Sequence, residues 1–269
     1  MTIEIQENTT ETPLLPVGLD PRQYAFFFDV DGTLAEICDE PEGVTIPAAV
    51  RDNLYALFTA SSGALALISG RPVEQLDLLV APLTLPAAGV HGAEMRDGAG
   101  NFHRVTLPPH IVRQVEQTLS AGMSVLPGTL LETKGMAFAL HYRQAMLHQQ
   151  QVLELAERVV TTFPELVLQP GKCVIEIKPR GKDKGVAIYD FMQQVPFAGR
   201  LPIFIGDDLT DEKGFEVVNA LQGISVKVGE GSSLAHYRVG RVSDVYQWLN
   251  ALQRHFITHP TSHTSEADS

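Results

Sequence analysis

Two short acidic stretches carry the densest chemistry in this chain. The first is FFFDVDGTL at 26–34, where Asp29 and Asp31 follow an apolar run and precede a Gly-Thr turn. Carboxylates at the carboxyl end of a parallel strand stand where open α/β sheets place their sites. Alternatively, Asp31 only initiates the turn with Gly32 and Thr33. The second is GDDLTDE at 206–212, with Asp207, Asp208, Asp211 and Glu212 in seven residues. Such crowding of like charge is costly without a cation, and oxygen ligands suit a hard metal such as Mg²⁺. A helix start also favours acids through its macrodipole, and both readings can hold together. Two further pieces suit phosphate. Ser69-Gly70-Arg71 offers a hydroxyl and free N–H groups ahead of a helix begun by Pro72. Lys184, before Gly185 and an amphipathic helix, can neutralise phosphoryl oxygens. Singly each is weak: a Ser-Gly turn is common, and Lys184 could be a solvated surface lysine. Lys182 lies near the same position, but Gly185 and the amphipathic helix follow Lys184 directly.

The elements that must position these residues alternate along the chain. Apolar runs in YAFFFDVDG, ALALISGR, LPAAGVHG, LPIFIGDD and GISVKVGEG suit strands buried on both faces. Helical periodicity lies between them, after Pro47 (Val50, Leu54, Leu57, Phe58), after Pro72 (Leu76, Leu79, Val80), through Ile188–Val195 and over Phe215–Leu221. Strand–helix alternation predicts an α/β parallel sheet. Residues 108–179 depart from it with the order αββαββ and hairpin-like pairs, the second joined by a turn at Pro170-Gly171. This predicts a small α+β unit inserted into the α/β domain. Period-two counting puts Glu132 with Lys134, His141 with Arg143, and Lys172 and Glu176 with Lys178, opposite Phe138, Leu140, Tyr142, Ile175 and Ile177. That polar face is either the wet side of an ordinary sheet or a binding surface.

Composition narrows the function classes. The chain has 269 residues, 20 basic and 32 acidic, a net charge of −12. Such acidity argues against nucleic-acid and membrane-surface partners. Cys38 and Cys173 cannot form a disulfide framework. The first residues are acidic where a secretory signal needs basic ones, and no run reaches the ~20 apolar residues of a membrane span, so a cytoplasmic protein is expected. Residues 1–22 and 258–269 read as flexible tails, the latter with His259 and His263. No GxxxxGK[ST], HExxH or GxSxG motif supports nucleotide hydrolysis, zinc proteolysis or serine hydrolysis.

In this order the four pieces resemble the haloacid dehalogenase superfamily of phosphatases: DVDGT its first motif, Ser69 its second, Lys184 its third, GDDLTD its fourth. GVHGAE at 89–94, LETKGMAFALHYR at 131–143 and GKCVIEIKPRG at 171–181 further resemble the trehalose-6-phosphate phosphatases, in particular the enterobacterial type. The resemblance covers nearly all of the chain between the tails. It implies a Rossmannoid parallel-sheet core (23–107 and 180–257) with an inserted α+β cap domain (108–179); a monomer is expected. It implies an Mg²⁺-dependent phosphatase working through an aspartyl-phosphate. Asp29 would be the nucleophile and Asp31 the acid and base. Ser69 and Lys184 would hold the phosphoryl group, beside Gly70 and Arg71. Asp29, Asp31 and Asp207 would hold the metal, with Asp208 and Asp211 behind them. Glu132, Lys134, His141, Arg143, Glu176 and Lys178 would meet the sugar, with His91 and Glu94 near the hinge. Another sugar-phosphate phosphatase or phosphomutase, or a sugar-phosphate-binding regulator without catalysis, are the alternatives. The intact Asp29, Asp31, Lys184 and Asp207 set argues against the regulator.

Overall fold

The computed structural model of the chain describes residues 15–16, 18–38 and 43–258. From the amino end the elements are β1 (Tyr24–Phe28), α1 (Ala48–Ala60), β2 (Leu65–Ile68), α2 (Val73–Val80), β3 (Ala87–Gly89), β4 (Glu94–Arg96) and β5 (Phe102–Arg104). Then come α3 (Pro109–Ser124), β6 (Leu130–Thr133), β7 (Phe138–His141), α4 (Gln149–Thr162), β8 (Leu166–Gly171) and β9 (Val174–Pro179). The chain closes with α5 (Lys184–Met192), β10 (Leu201–Gly206), α6 (Glu212–Ala220), β11 (Ile224–Val228), β12 (Tyr237–Val239) and α7 (Val242–Thr258). Two sheets result, one of eight strands in the order β12-β11-β10-β1-β2-β3-β4-β5 and one of four in the order β6-β7-β9-β8.

In the large sheet β12 to β3 run parallel, and β4 and β5 add an antiparallel edge. The three phenylalanines of β1 explain its central place. Phe26 and Phe28 enter the core shared with α1, α2 and α7, while Phe27 enters the opposite one with Ile188, Phe191 and Phe215 of α5 and α6. A strand apolar on both faces is stable only with a helical layer on each side. Each such ring removed from water contributes about 2–3 kcal/mol. From β1 the chain passes to β2 on one side and reaches β10 on the other. The carboxyl ends of β1 and β10 therefore flank the crevice where such sheets bind ligands.

The four-stranded sheet follows the αββαββ order read from 108–179. Leu131, Phe138, Leu140, Ile175 and Ile177 pack with Ile111, Val115, Leu119, Val152 and Leu155 of α3 and α4. The opposite face aligns Glu132, Ala139, Glu176 and Gln169 across the four strands.

Three expectations need correction. The second hairpin turns at Lys172-Cys173, because Pro170 and Gly171 still pair with Ile175 and Val174. Pro170 is tolerated there because β8 is an edge strand and its missing N–H breaks no ladder. The tail expected through residue 22 is partly packed: Leu19 is buried, and the Trp248 indole donates to the Pro16 carbonyl at 3.0 Å. The remaining tail residues, 1–14 and 259–269 with His259 and His263, lie outside the described residues. Finally, the β4–β5 hairpin, β12 and α7 join the expected elements. No helix among the described residues is long and apolar enough to cross a membrane.

Candidate active site

The floor of the site is built where β1 and β10 end. After Phe28 the chain leaves the sheet, with the Asp29 N–H still donating to the Ile205 carbonyl at 2.9 Å. Gly32 follows at φ +83°, and a Cβ there would lie 2.1 Å from Asp207 Oδ2. Only glycine supplies both the left-handed turn and the room for that carboxylate. Lys184 opens α5, whose first turn is capped by Asp183 accepting from the Val186 N–H at 2.8 Å. The capped helix start aims the Lys184 ammonium inward, 2.7 Å from Asp29 Oδ1 and 2.6 Å from Asp211 Oδ1. Lys182 turns away to Asp190 at 3.6 Å.

Asp211 is fully buried, and its second oxygen accepts from the N–H groups of Asp207 and Asp208 at 3.0 and 2.9 Å. It thus shapes the loop after β10 as well as pairing Lys184. Asp208 caps the turn that follows, accepting from the Leu209 N–H at 2.7 Å, and Glu212 accepts from the Leu234 N–H instead of joining the cluster. Oxygens of Asp29, Asp207 and Asp211 lie within 4.8 Å of one another. Burial pushes the Asp29 carboxyl well above the ordinary range, with Asp211 and Asp207 adding to the rise and Lys184 opposing it. Burial, then Asp211, pushes Asp207 up to about 7. Burial opposes the Lys184 charge, but Asp211 and Asp29 together hold it above the ordinary lysine range. Asp207 Oδ1 is buried without a hydrogen-bond partner among the described residues. Three crowded carboxylates, one with a bare oxygen, fit a hard divalent cation.

Beside this floor, Ser69 directly follows β2, and its Oγ accepts from the Arg71 N–H at 3.2 Å. The Arg71 guanidinium donates from Nε and Nη2 to the two oxygens of Asp31, both at 2.7 Å. This bidentate pair is among the stronger polar contacts available. Asp31 therefore starts from a paired state.

The polar face of the four-stranded sheet looks onto the same space. A cavity of about 220 Å³ is lined by Asp29, Asp31, Ser69, Gly70, Arg71, Lys184, Asp207 and Asp208 below, and by Glu132, Lys134, His141, Arg143 and Glu176 above. Glu132 accepts from His141 at 2.9 Å and lies 3.8 Å from Lys134. The Lys134 ammonium donates to Glu176 Oε1 at 2.7 Å and to the Gly70 carbonyl at 3.1 Å. His91 contacts the other oxygen of Glu176. Burial opposes both charges, yet His141 and Lys134 hold Glu132 below its ordinary range, and His91 and Lys134 hold Glu176 far below it. Arg143 reaches the Lys172 carbonyl at 3.4 Å.

Lys178 departs from the expected arrangement. It shares the face of Glu176 but does not line this cavity; it is buried beyond it, toward Asp183 and Lys184. Two residues further along β9 the sheet already meets the larger unit. Glu94, near the expected hinge, accepts from the Val73 N–H at 2.9 Å and so caps α2. Lys227 on β11 has no place in the sequence reading, yet its ammonium donates to the Asp207 carbonyl. A lone charge inside the apolar run ISVKV was the available signal.

A family model described as Trehalose-phosphatase matches residues 27–242. The chain belongs to the trehalose-phosphatase family. Within it, the Escherichia coli (strain K12) trehalose-6-phosphate phosphatase is 52% identical over 246 residues, 91% of each chain. The C-terminal domain of C. albicans trehalose-6-phosphate phosphatase superposes with TM-score 0.79 at 21% identity, covering 92% of this chain and 99% of that one. A haloacid dehalogenase-like hydrolase from Bacteroides thetaiotaomicron superposes with TM-score 0.61 at 15% identity, covering 86% and 99%. The fold of this family member is thus haloacid dehalogenase-like, an α/β core with an α+β cap.

Proposed function

We propose that the chain hydrolyses trehalose 6-phosphate to trehalose and phosphate, with 23–107 and 180–257 as the core and 108–179 as the cap. The observation that carries this reading is the shared cavity: Lys184 and Asp29 on its floor, Glu132, Lys134 and Glu176 on its roof. Kinship with the E. coli enzyme supports the substrate. Asp29 attacks phosphorus in line, and the bond from phosphorus to the sugar 6-oxygen breaks. That oxygen leaves with a proton from Asp31, giving trehalose and an aspartyl-phosphate on Asp29. Water then attacks phosphorus, Asp31 takes its proton, and phosphate leaves with Asp29 restored. Lys184 and Ser69 hold the phosphoryl oxygens, assisted by the Gly70 turn. Arg71 must release Asp31 first, and an incoming phosphate dianion competes for its guanidinium. The freed Asp31 carboxylate takes up a proton from solvent, which is the proton it then gives to the leaving oxygen. Asp29, the Asp31 backbone carbonyl and Asp207 would hold Mg²⁺, which when bound offsets the repulsion between carboxylate and phosphate. Asp208 and Asp211 set the loop and Lys184. On the cap, Glu132 and Glu176 accept from sugar hydroxyls, while Lys134, His141 and Arg143 donate. We place this reaction in the cytoplasm, carried out by a monomer. The test is phosphate release from trehalose 6-phosphate with Mg²⁺ or with a chelator, beside glucose 6-phosphate. Release should need the metal and be far slower from the monosaccharide. Equal rates on both sugars would remove the disaccharide from the reading, and metal-independent turnover would remove Mg²⁺.

A further inference from the structure

His91 sits in the turn between β3 and β4 with φ +53°, directly after Val90 at φ +49°. Two successive side-chain-bearing residues in the left-handed region are strained, the more so because valine is β-branched. Two backbone bonds hold them there. The His91 N–H donates to the Ser69 carbonyl at 2.9 Å, and the Val90 N–H donates to the Arg71 carbonyl at 3.0 Å. The turn is thereby fastened to both sides of Gly70, in the segment to which the proposed function assigns the phosphate. A Cβ at Gly70 would lie 2.8 Å from His91 Nε2, so the ring crosses where only glycine leaves space. Beyond Gly70 the ring meets Glu176 on the cap strand β9. Lys134, also on the cap, closes the circuit by binding both Glu176 and the Gly70 carbonyl.

The imidazole is almost wholly buried, and its Nδ1 has no partner among the described residues. Burial holds its pKa below the ordinary value despite Glu176. A neutral ring donating to Glu176 carries its proton on Nε2. A histidine serving only to fill space would have no need of a strained backbone, nor of a bond to a carboxylate across two units of the fold.

We infer that His91 is a positioning residue that couples sugar recognition on the cap to the phosphate-binding turn at Ser69–Arg71. This rests on the phosphatase reading above. Each oxygen of Glu176 takes one protein donor and keeps a further lone pair for a sugar hydroxyl. Sugar binding at Glu176 is thus relayed through one side-chain bond and one backbone bond to Ser69.

The experiment measures kcat and KM for trehalose 6-phosphate and for p-nitrophenyl phosphate, with thermal melting, in wild type, Glu176→Ala, His91→Ala, His91→Gln and His91→Asn. His91→Ala should lower kcat/KM for the sugar phosphate by roughly ten- to a hundredfold. Most of this should fall on kcat, since orientation is realised in the transition state. The small ester should lose far less. Gln and Asn separate positioning from mere structure. Asparagine tolerates the left-handed backbone better, but its amide stops near the Nδ1 position; glutamine can bring a donor close to Nε2. Positioning predicts that Gln restores the substrate ratio better than Asn, although Asn melts higher. Combined with Glu176→Ala, His91→Ala should add little further loss. The inference is overturned if His91→Ala keeps the wild-type ratio while Glu176→Ala lowers it, or if both substrates decline together in step with melting. Wild-type protein that releases no phosphate from trehalose 6-phosphate would instead overturn the phosphatase reading, and this coupling with it.

Discussion

The floor and the roof of the cavity are both buried clusters of charge, yet they are balanced in opposite ways. On the floor Arg71 is taken up by Asp31 and Lys227 reaches only the Asp207 backbone carbonyl, so Lys184 alone contacts the carboxylates of Asp29 and Asp211, and Asp207 keeps a bare oxygen. Its carboxyls Asp29 and Asp207 are pushed upward. On the roof, Lys134, His141 and His91 surround Glu132 and Glu176, and both carboxyls are pushed downward. Burial opposes ionisation in both places, so the direction of the shift reports whether the protein supplies enough donors. An undersupplied cluster suits a cation that arrives from outside. A satisfied one has fixed, ionised acceptors and donors at hand, which suits a neutral polyol rich in hydroxyls.

The contrast breaks most sharply at Asp29. Asp29→Asn should fold, because the amide oxygen can still accept from Lys184, while turnover should fall by at least about 10⁴-fold on any phosphate ester. Phosphate release and a melting curve on the same sample test this; substantial turnover in folded protein would remove Asp29 as nucleophile. Lys184→Ala should impair sugar phosphate and small ester alike and also reduce stability. It leaves Asp29 and Asp211 buried without their shared partner, a loss of about 3–5 kcal/mol for a broken buried pair. Denaturant unfolding measures it. A variant as stable as wild type would mean that Asp29 and Asp211 share a proton when the lysine is gone.

Much of the floor was legible in the sequence because it is local. Asp29 and Asp31 follow β1, Asp207 and Asp208 follow β10, and each motif sits where an apolar run ends. Period-two counting likewise separated Glu132 and Glu176 from Phe138 and Ile177, since alternation in a strand is dictated by geometry. What stayed hidden depends on distant partners. The pairing of Arg71 with Asp31 spans 40 positions, and that of His91 with Glu176 spans 85. Lys227 looks like a misfit in β11 until the Asp207 carbonyl is placed beside it. The turn at Lys172-Cys173 was displaced because Pro-Gly is a strong turn signal, while an edge strand can carry it in extended form.

A smaller effect sharpens the roof's side of the comparison. Glu132→Ala and Glu176→Ala should each lower kcat/KM for trehalose 6-phosphate by roughly 10- to 150-fold, the equivalent of one charge-assisted hydrogen bond. The loss for p-nitrophenyl phosphate should be far smaller, since that ester has no sugar to engage them. The ratio of the two values is the measurement. A ratio equal to wild type in both variants would make the roof an ordinary solvated sheet face.

The smallest effect on catalysis is expected at Lys178, which lies between the two clusters and belongs to neither. Its ammonium is buried outside the cavity lining, facing Asp183 and Glu176 but also the like charge of Lys184. Burial lowers its pKa from the ordinary 10.5 to about 8. That difference amounts to roughly 3 kcal/mol against folding while the group is charged in both states. Below pH 8 the full penalty applies. Between about pH 8 and 10.5 the folded protein has released this proton and the unfolded chain still holds it, so the penalty fades as pH rises. Lys178→Met keeps the length of the side chain and removes the charge. It should therefore be the more stable protein at pH 7, and its advantage should shrink through pH 8–10.5, with other titrating groups cancelling between the two. Its kcat/KM ratio for sugar phosphate over small ester should stay near wild type. Unfolding curves from pH 7 to 10.5 test the first claim, and the ratio tests the second. A ratio reduced as far as in Glu176→Ala would return Lys178 to the sugar site, and the cavity would then have to open beyond β9 when substrate binds.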